Sequence, residues 1–166
     1  MESHWQYIFI SALIPMFTGF IWYGPKTFGN VWMREAGVSE EKIKSSNMAL
    51  ILSLTYVFSL FLSLILISVV IHQSHILSIL ADDPGMKDPN SEISLWLKNF
   101  MDQYGQNFRT FKHGAFHGTL SGIFYAFPII AINALFERRS WKYIWIHTGY
   151  WILTLALMGG IVCANF

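Results

Sequence analysis

Four of the six histidines in this 166-residue chain stand in two close pairs. The stretch HGAFHG, residues 113–118, sets His113 and His117 four residues apart. On a helix that spacing puts two imidazoles on one face, where they can share a metal ion. His72 and His75 close a long apolar run earlier in the chain. Imidazole nitrogen suits zinc and copper, and it also serves as an axial haem ligand. The chemistry these residues offer is therefore a histidine site of His72, His75, His113 and His117 for zinc, copper or haem. The plainer expectation is a protein with no cofactor. Histidine is at home where water meets an apolar layer, and no carboxylate or thiol is placed to complete a ligand set.

The same stretch carries a second pattern. Gly114, Gly118, Gly122 and Ala126 recur every four residues, and Ala156, Gly160 and Ala164 repeat the spacing near the C-terminus. On helices these form smooth strips that let two backbones approach closely. The expectation is helix packing through the strips, either between the two segments that carry them or against a second copy of the chain.

Elements that would position these residues follow from composition. The chain is 54% hydrophobic and 13% charged, half the charge of an ordinary soluble domain, and its mean hydropathy is +0.42. Four windows carry almost no charge and suffice for the roughly 20 residues that cross a bilayer: residues 5–23, 47–71, 112–136 and 141–163. The predicted fold is an all-α membrane protein, a bundle of four transmembrane helices in one domain. Residues 1–4, MESH, lack the basic residues of a signal peptide, so the first window is expected to stay in the chain. The net charge of +1 argues against nucleic acid as a partner. The single cysteine, Cys163, excludes an intramolecular disulfide and a cysteine-based zinc site.

Four crossings leave both termini on one side. Lys26, Arg34, Lys42, Lys44, Arg138, Arg139 and Lys142 lie in the two short loops; Lys87, Lys98, Arg109 and Lys112 lie on the opposite face. The positive-inside rule then places the short loops in the cytoplasm and the termini outside. Trp5 and Tyr7 would mark the outer interface, and Trp22, Tyr23, Trp141 and Tyr143 the inner one.

As one helix, the apolar run from Asn47 to Leu80 would be about 51 Å long, against about 30 Å of hydrocarbon. The expectation is that its end, with His72 and His75, projects outward. Residues 72–111 would form a small outer layer: a Pro- and Gly-rich turn at residues 82–90, then an amphipathic helix capped by Ser91, with Ile93, Leu97, Phe100, Tyr104, Phe108 and Phe111 on one face. In the loop of residues 24–46, Pro25 ends the first segment and Phe28, Val31 and Trp32 suit an interfacial helix. Gly37 stops that helix, and Ser39 caps the next, with Glu40 and Glu41 in its first turn. Pro15 and Pro128 should kink the first and third segments.

"WYGPKTFGNVWMREAGVSEEKI" (residues 22–43) and "ALFERRSWKYIWIHTGYW" (residues 134–151), with the glycines that follow, resemble the bacterial family called domain of unknown function 1761. The resemblance covers most of the chain outside the outer insert. It implies a small protein of the bacterial inner membrane and no particular activity. The family pattern carries a histidine after "GY" where this chain has Trp151; His147 comes earlier instead. That histidine reads as a hydrogen-bonded interior residue, or a proton acceptor near neutral pH.

No catalytic triad, P-loop, GxGxxG, HExxH or CxxC occurs, and no acid lies in the middle of a window. The expected role is non-enzymatic. The leading expectation is a protein that acts by self-association or as an accessory subunit of a partner membrane protein. A small channel or carrier, suggested by two kinked segments and the serines Ser53, Ser59, Ser63 and Ser68, is the alternative. Metal or haem binding by the histidines is the third.

Overall fold

A computed structural model describes residues 4–166; the 1–3 leader lies outside the described residues. The regular structure of the described residues is all helical, without strands. The first apolar segment is two helices, α1 (Gln6–Ser11) and α2 (Ile14–Trp22). Pro15 is the second residue of α2. It has no N–H for the carbonyl four residues back, at Ser11, so the expected kink is a break over Ala12 and Leu13.

α3 (Gly29–Ala36) ends on Gly37, whose φ of +68° is the left-handed stop that glycine adopts without strain. Ser39 caps α4 (Glu40–Lys44) through the Lys42 amide. Asn47 caps α5 (Met48–Val70) through the Leu50 amide. Here the run from Asn47 to Leu80 is broken, not one continuous helix. α5 stops at Ile71, whose backbone is extended, and α6 (Gln73–Leu80) starts anew after His72. The break has a physical reason. Gln73 is 6% exposed, and from the new direction its side-chain amide donates to the Tyr104 and Asn107 carbonyls at 3.2 and 2.9 Å.

A 3-10 turn at Pro84–Lys87 leads to α7 (Glu92–Tyr104), capped by Ser91 as the sequence predicts. The amphipathic helix is shorter than expected. It ends before Gly105; Phe108 sits in a turn with φ of 63°, and Phe111 opens α8 (Phe111–Ser121). A π-helical turn, Gly122–Ala126, joins α8 to α9 (Phe127–Phe136). Pro128 is the second residue of α9, and the wide turn before it accommodates the missing hydrogen bond. α10 (Trp141–Asn165) is unbroken and packs against α1, α2, α5, α8 and α9.

Three helices are long and apolar enough to cross a membrane: Met48–Val70, Phe111–Phe136 and Trp141–Asn165; the apolar stretch Gln6–Trp22 is shorter. Large apolar side chains cover the outside, with Phe20 84% and Phe136 86% exposed. The core, Ile8, Leu66, Val70, Met158 and Val162 among others, lies where α1 and α5 meet α10.

The glycine strip is spent on α10. A Cβ at Gly114 or Gly118 would run into the carbonyl oxygens of Gly159 and Leu155, and one at Gly122 would lie 2.6 Å from Ile152 Cα. The face of α10 they meet is Ile152, Leu155, Gly159 and Cys163. It is one residue round from the expected strip of Ala156, Gly160 and Ala164. Gly160 instead makes room for the Phe111 ring, 2.5 Å from where its Cβ would be.

Candidate metal centre

The break after Val70 and the start of α8 bring three histidines together. Thr110 caps α8 by accepting from the His113 amide, which fixes where the helix begins and so where His113 and His117 point. His72 comes from the joint between α5 and α6. Its Nε2 lies 2.9 Å from His113 Nε2. Ring centroids are 5.0 Å apart for His72 and His113, 5.0 Å for His72 and His117, and 4.5 Å for His113 and His117. One nitrogen from each ring falls within 4.8 Å of the other two.

A tetrahedral metal with nitrogen ligands at 2.0–2.1 Å separates those nitrogens by about 3.3 Å. Nitrogens as much as 4.8 Å apart would have to close by about 1.5 Å to hold an ion, and the 2.9 Å pair would have to open slightly. His72 is exposed and the other two half-buried, so an ion can enter from solvent. In the absence of metal, two neutral imidazoles 2.9 Å apart form a hydrogen bond in which one donates and the other accepts.

His75 does not join the group. It lies one turn further along α6, exposed, and is not among the histidines whose nitrogens converge.

Aromatic rings pack around the three histidines. The Phe108 ring lies 5.1 Å from His113 and 6.5 Å from His72, and Phe116 packs edge-on to His117 at 5.5 Å. Cys163 holds the Phe108 turn by donating its thiol to the Phe108 carbonyl at 3.3 Å. Arg109 donates to the Cys163 carbonyl at 2.8 Å. Beside His72 a cavity of about 300 Å³ opens between α6 and α7, lined by Gln73, Ile76, Phe100, Tyr104 and Phe108. Three neutral imidazoles leave a divalent ion its full charge, so a fourth ligand arriving from that side is favoured if anionic, as hydroxide is.

His147 lies at the other end of the molecule. Its Nδ1 is 2.9 Å from the Tyr23 hydroxyl, and its buried Nε2 has no protein partner. It belongs to a stripe on α10, Tyr143, His147, Tyr150 and Thr154, that runs along α2 and Tyr23 at its end. Tyr150 donates to the Pro15 carbonyl at 2.8 Å, the Thr18 and Thr154 hydroxyls are 2.8 Å apart, and Ser63 donates to Ser11 at 3.3 Å. Sequence reasoning treated His147 alone. The signal for its neighbours was present, because 143, 147, 150 and 154 repeat at three and four residues.

The fold and the site define a small all-helical protein with membrane-compatible helices and a three-histidine cluster at one end. The chain matches, over residues 7–163, the family described as Protein of unknown function (DUF1761), and it belongs to that family. No curated protein and no solved structure matches it.

Proposed function

We propose that this chain is an integral membrane protein that binds a divalent transition metal, zinc or copper, through His72, His113 and His117. The observation that carries this reading is the three-way approach of imidazole nitrogens within 4.8 Å, drawn from two separate parts of the chain. A metal ion is favoured over haem. A haem with two axial histidines takes them on opposite faces of the macrocycle, whereas His113 and His117 leave one face of one helix and meet His72 edge to edge. Four apolar segments cross the bilayer in this reading, with the histidines and both termini outside a bacterial inner membrane. The basic short loops support that orientation.

The role that fits is non-enzymatic metal binding that ties the outer layer to the bundle. His72 opens the outer insert, and His113 and His117 stand on the segment that closes it. The test is metal content of the protein purified in mild detergent, followed by cobalt substitution. Near-stoichiometric metal, and a cobalt visible spectrum of tetrahedral type, are expected. Absence of both, with the protein folded, would sink the reading.

Association with a second copy or a partner membrane protein is the second reading. It is favoured by the outer layer, where Ile79 is 80%, Trp96 49% and Leu95 47% exposed. Cross-linking in native membranes tests it, and a strictly monomeric protein with no partner would end it. A channel has less support. The buried hydroxyls give way, beyond Ser11 and Ser63, to Ile8, Leu66, Val70, Met158 and Val162.

A further inference from the structure

At the end opposite the histidines, a groove of about 690 Å³ runs between α3 and α10. Its walls are Trp22, Phe28, Val31, Trp145 and Ile146. Two features build it. The Trp22 indole N–H donates to the Ile146 carbonyl at 3.0 Å, and Phe28 packs on the indole at 4.6 Å, so the ring is pinned flat against α10. Gly149 has no side chain where a Cβ would lie 2.8 Å from that indole, which lets the ring sink in. The groove lies open to the surroundings, with Phe28 41% and Trp145 58% exposed.

Its one charged lining residue is Lys142. Arg34, Lys44 and Arg139 at this end are paired with Glu35, Glu40 and Glu137; Lys142 is in no ion pair among the described residues, and the Glu35 carboxylate, already held by Arg34 and Ser140, attracts it only at longer range. The cations of this end, Lys26, Arg34, Lys42, Lys44, Arg138, Arg139 and Lys142, outnumber its acids, Glu35, Glu40, Glu41 and Glu137. An apolar slot with an unpaired ammonium at its rim is complementary to a molecule with a long hydrocarbon tail and a negative head.

We infer that this groove binds one acyl chain of an anionic phospholipid, with its phosphate on Lys142. The inference rests on the membrane-spanning reading and is independent of the metal site. The occupant is a lipid because the groove flanks the apolar surface of α10 and opens outward beside the exposed Trp145.

The test is native mass spectrometry of delipidated protein titrated with phosphatidylglycerol or phosphatidylcholine of equal chain length. One retained phosphatidylglycerol is expected, preferred about five-fold, the worth of one lysine beside an anionic headgroup. Lys142→Gln should abolish the preference while leaving the unfolding temperature unchanged. Val31→Trp should fill the groove and remove the retained lipid. Equal binding of both lipids by the wild type, or a preference that survives Lys142→Gln, would overturn the inference. So would a dimer that Val31→Trp splits, since the groove would then be an interface between copies. A protein that stays monodisperse without detergent would overturn it by sinking the membrane reading itself.

Discussion

His72 Nε2 and His113 Nε2 lie 2.9 Å apart although 41 residues separate them in the chain. The contact exists because α5 breaks at Ile71 and because Thr110 sets the start of α8. It makes two separate segments into one site and divides the four sequence candidates into three that meet and one that does not.

Single substitutions should reproduce that division. His72→Ala, His113→Ala and His117→Ala should each weaken zinc binding by more than about 100-fold, since even outer-shell partners of a metal are worth 10–100-fold. His75→Ala should leave it unchanged. Isothermal titration in detergent reads both, and equal losses from His72→Ala and His75→Ala would contradict the geometry.

The α8–α10 seam should be sensitive to one methyl group. Gly118→Ala sets a Cβ against the Leu155 carbonyl, which is backbone and cannot turn aside. A loss of about 1–3 kcal/mol is expected, the usual cost of overpacking. Gly160→Ala meets only the Phe111 ring, which can rotate, so its cost should be smaller. Thermal unfolding of the two variants side by side measures the difference.

The Thr18 and Thr154 hydroxyls, 2.8 Å apart and both buried, should be coupled. A double-mutant cycle with Thr18→Val and Thr154→Val should return about 0.6 kcal/mol, the average for hydrogen bonds between membrane helices. Additive losses would show that each hydroxyl is satisfied by its own backbone instead.

A pH-dependent latch joins α3 to α10. The Ser140 hydroxyl caps α10 through the Tyr143 amide and donates to the Glu35 carboxylate at 2.6 Å. This bond, with the Arg34 guanidinium, holds the Glu35 carboxyl below its usual range. A depressed carboxyl contributes stability that is present above its unfolded pKa of about 4.3 and is lost as pH falls through the folded value. The unfolding temperature of the wild type should therefore exceed that of Glu35→Gln modestly at pH 7. The difference should vanish in acid below the folded pKa. Equal unfolding temperatures at pH 7 would show that exposure and salt screening cancel the latch.

Several features were legible because they are local. Gly37 as a stop, Ser39 and Ser91 as caps and the turn around Pro84 each depend on residues within a few positions, and the structure has them where the sequence predicts them. Three of the four long apolar windows were legible for the same reason, since length and composition suffice to place them; the first is two short helices, broken ahead of Pro15. The end of α7 was not. Hydrophobic spacing continued through Phe108 and Phe111, but the Gln73 amide, from another helix, takes the carbonyls of Tyr104 and Asn107 where that helix ends.

From the sequence alone came the class: apolar segments with basic short loops, a glycine-spaced helix and two histidine pairs. Periodicity carries that information because it concerns which residues share a helix face. Which faces meet was decided by tertiary contacts. Gly114 and Gly118 lie against the Leu155 and Gly159 carbonyls of α10, while the Phe111 ring occupies the space over Gly160, so the two small-residue strips do not face each other. His72 joins His113 and His117 because one extended residue, Ile71, ends α5 and puts His72 at the joint beside the start of α8; His75, a turn further along α6, stays outside the cluster.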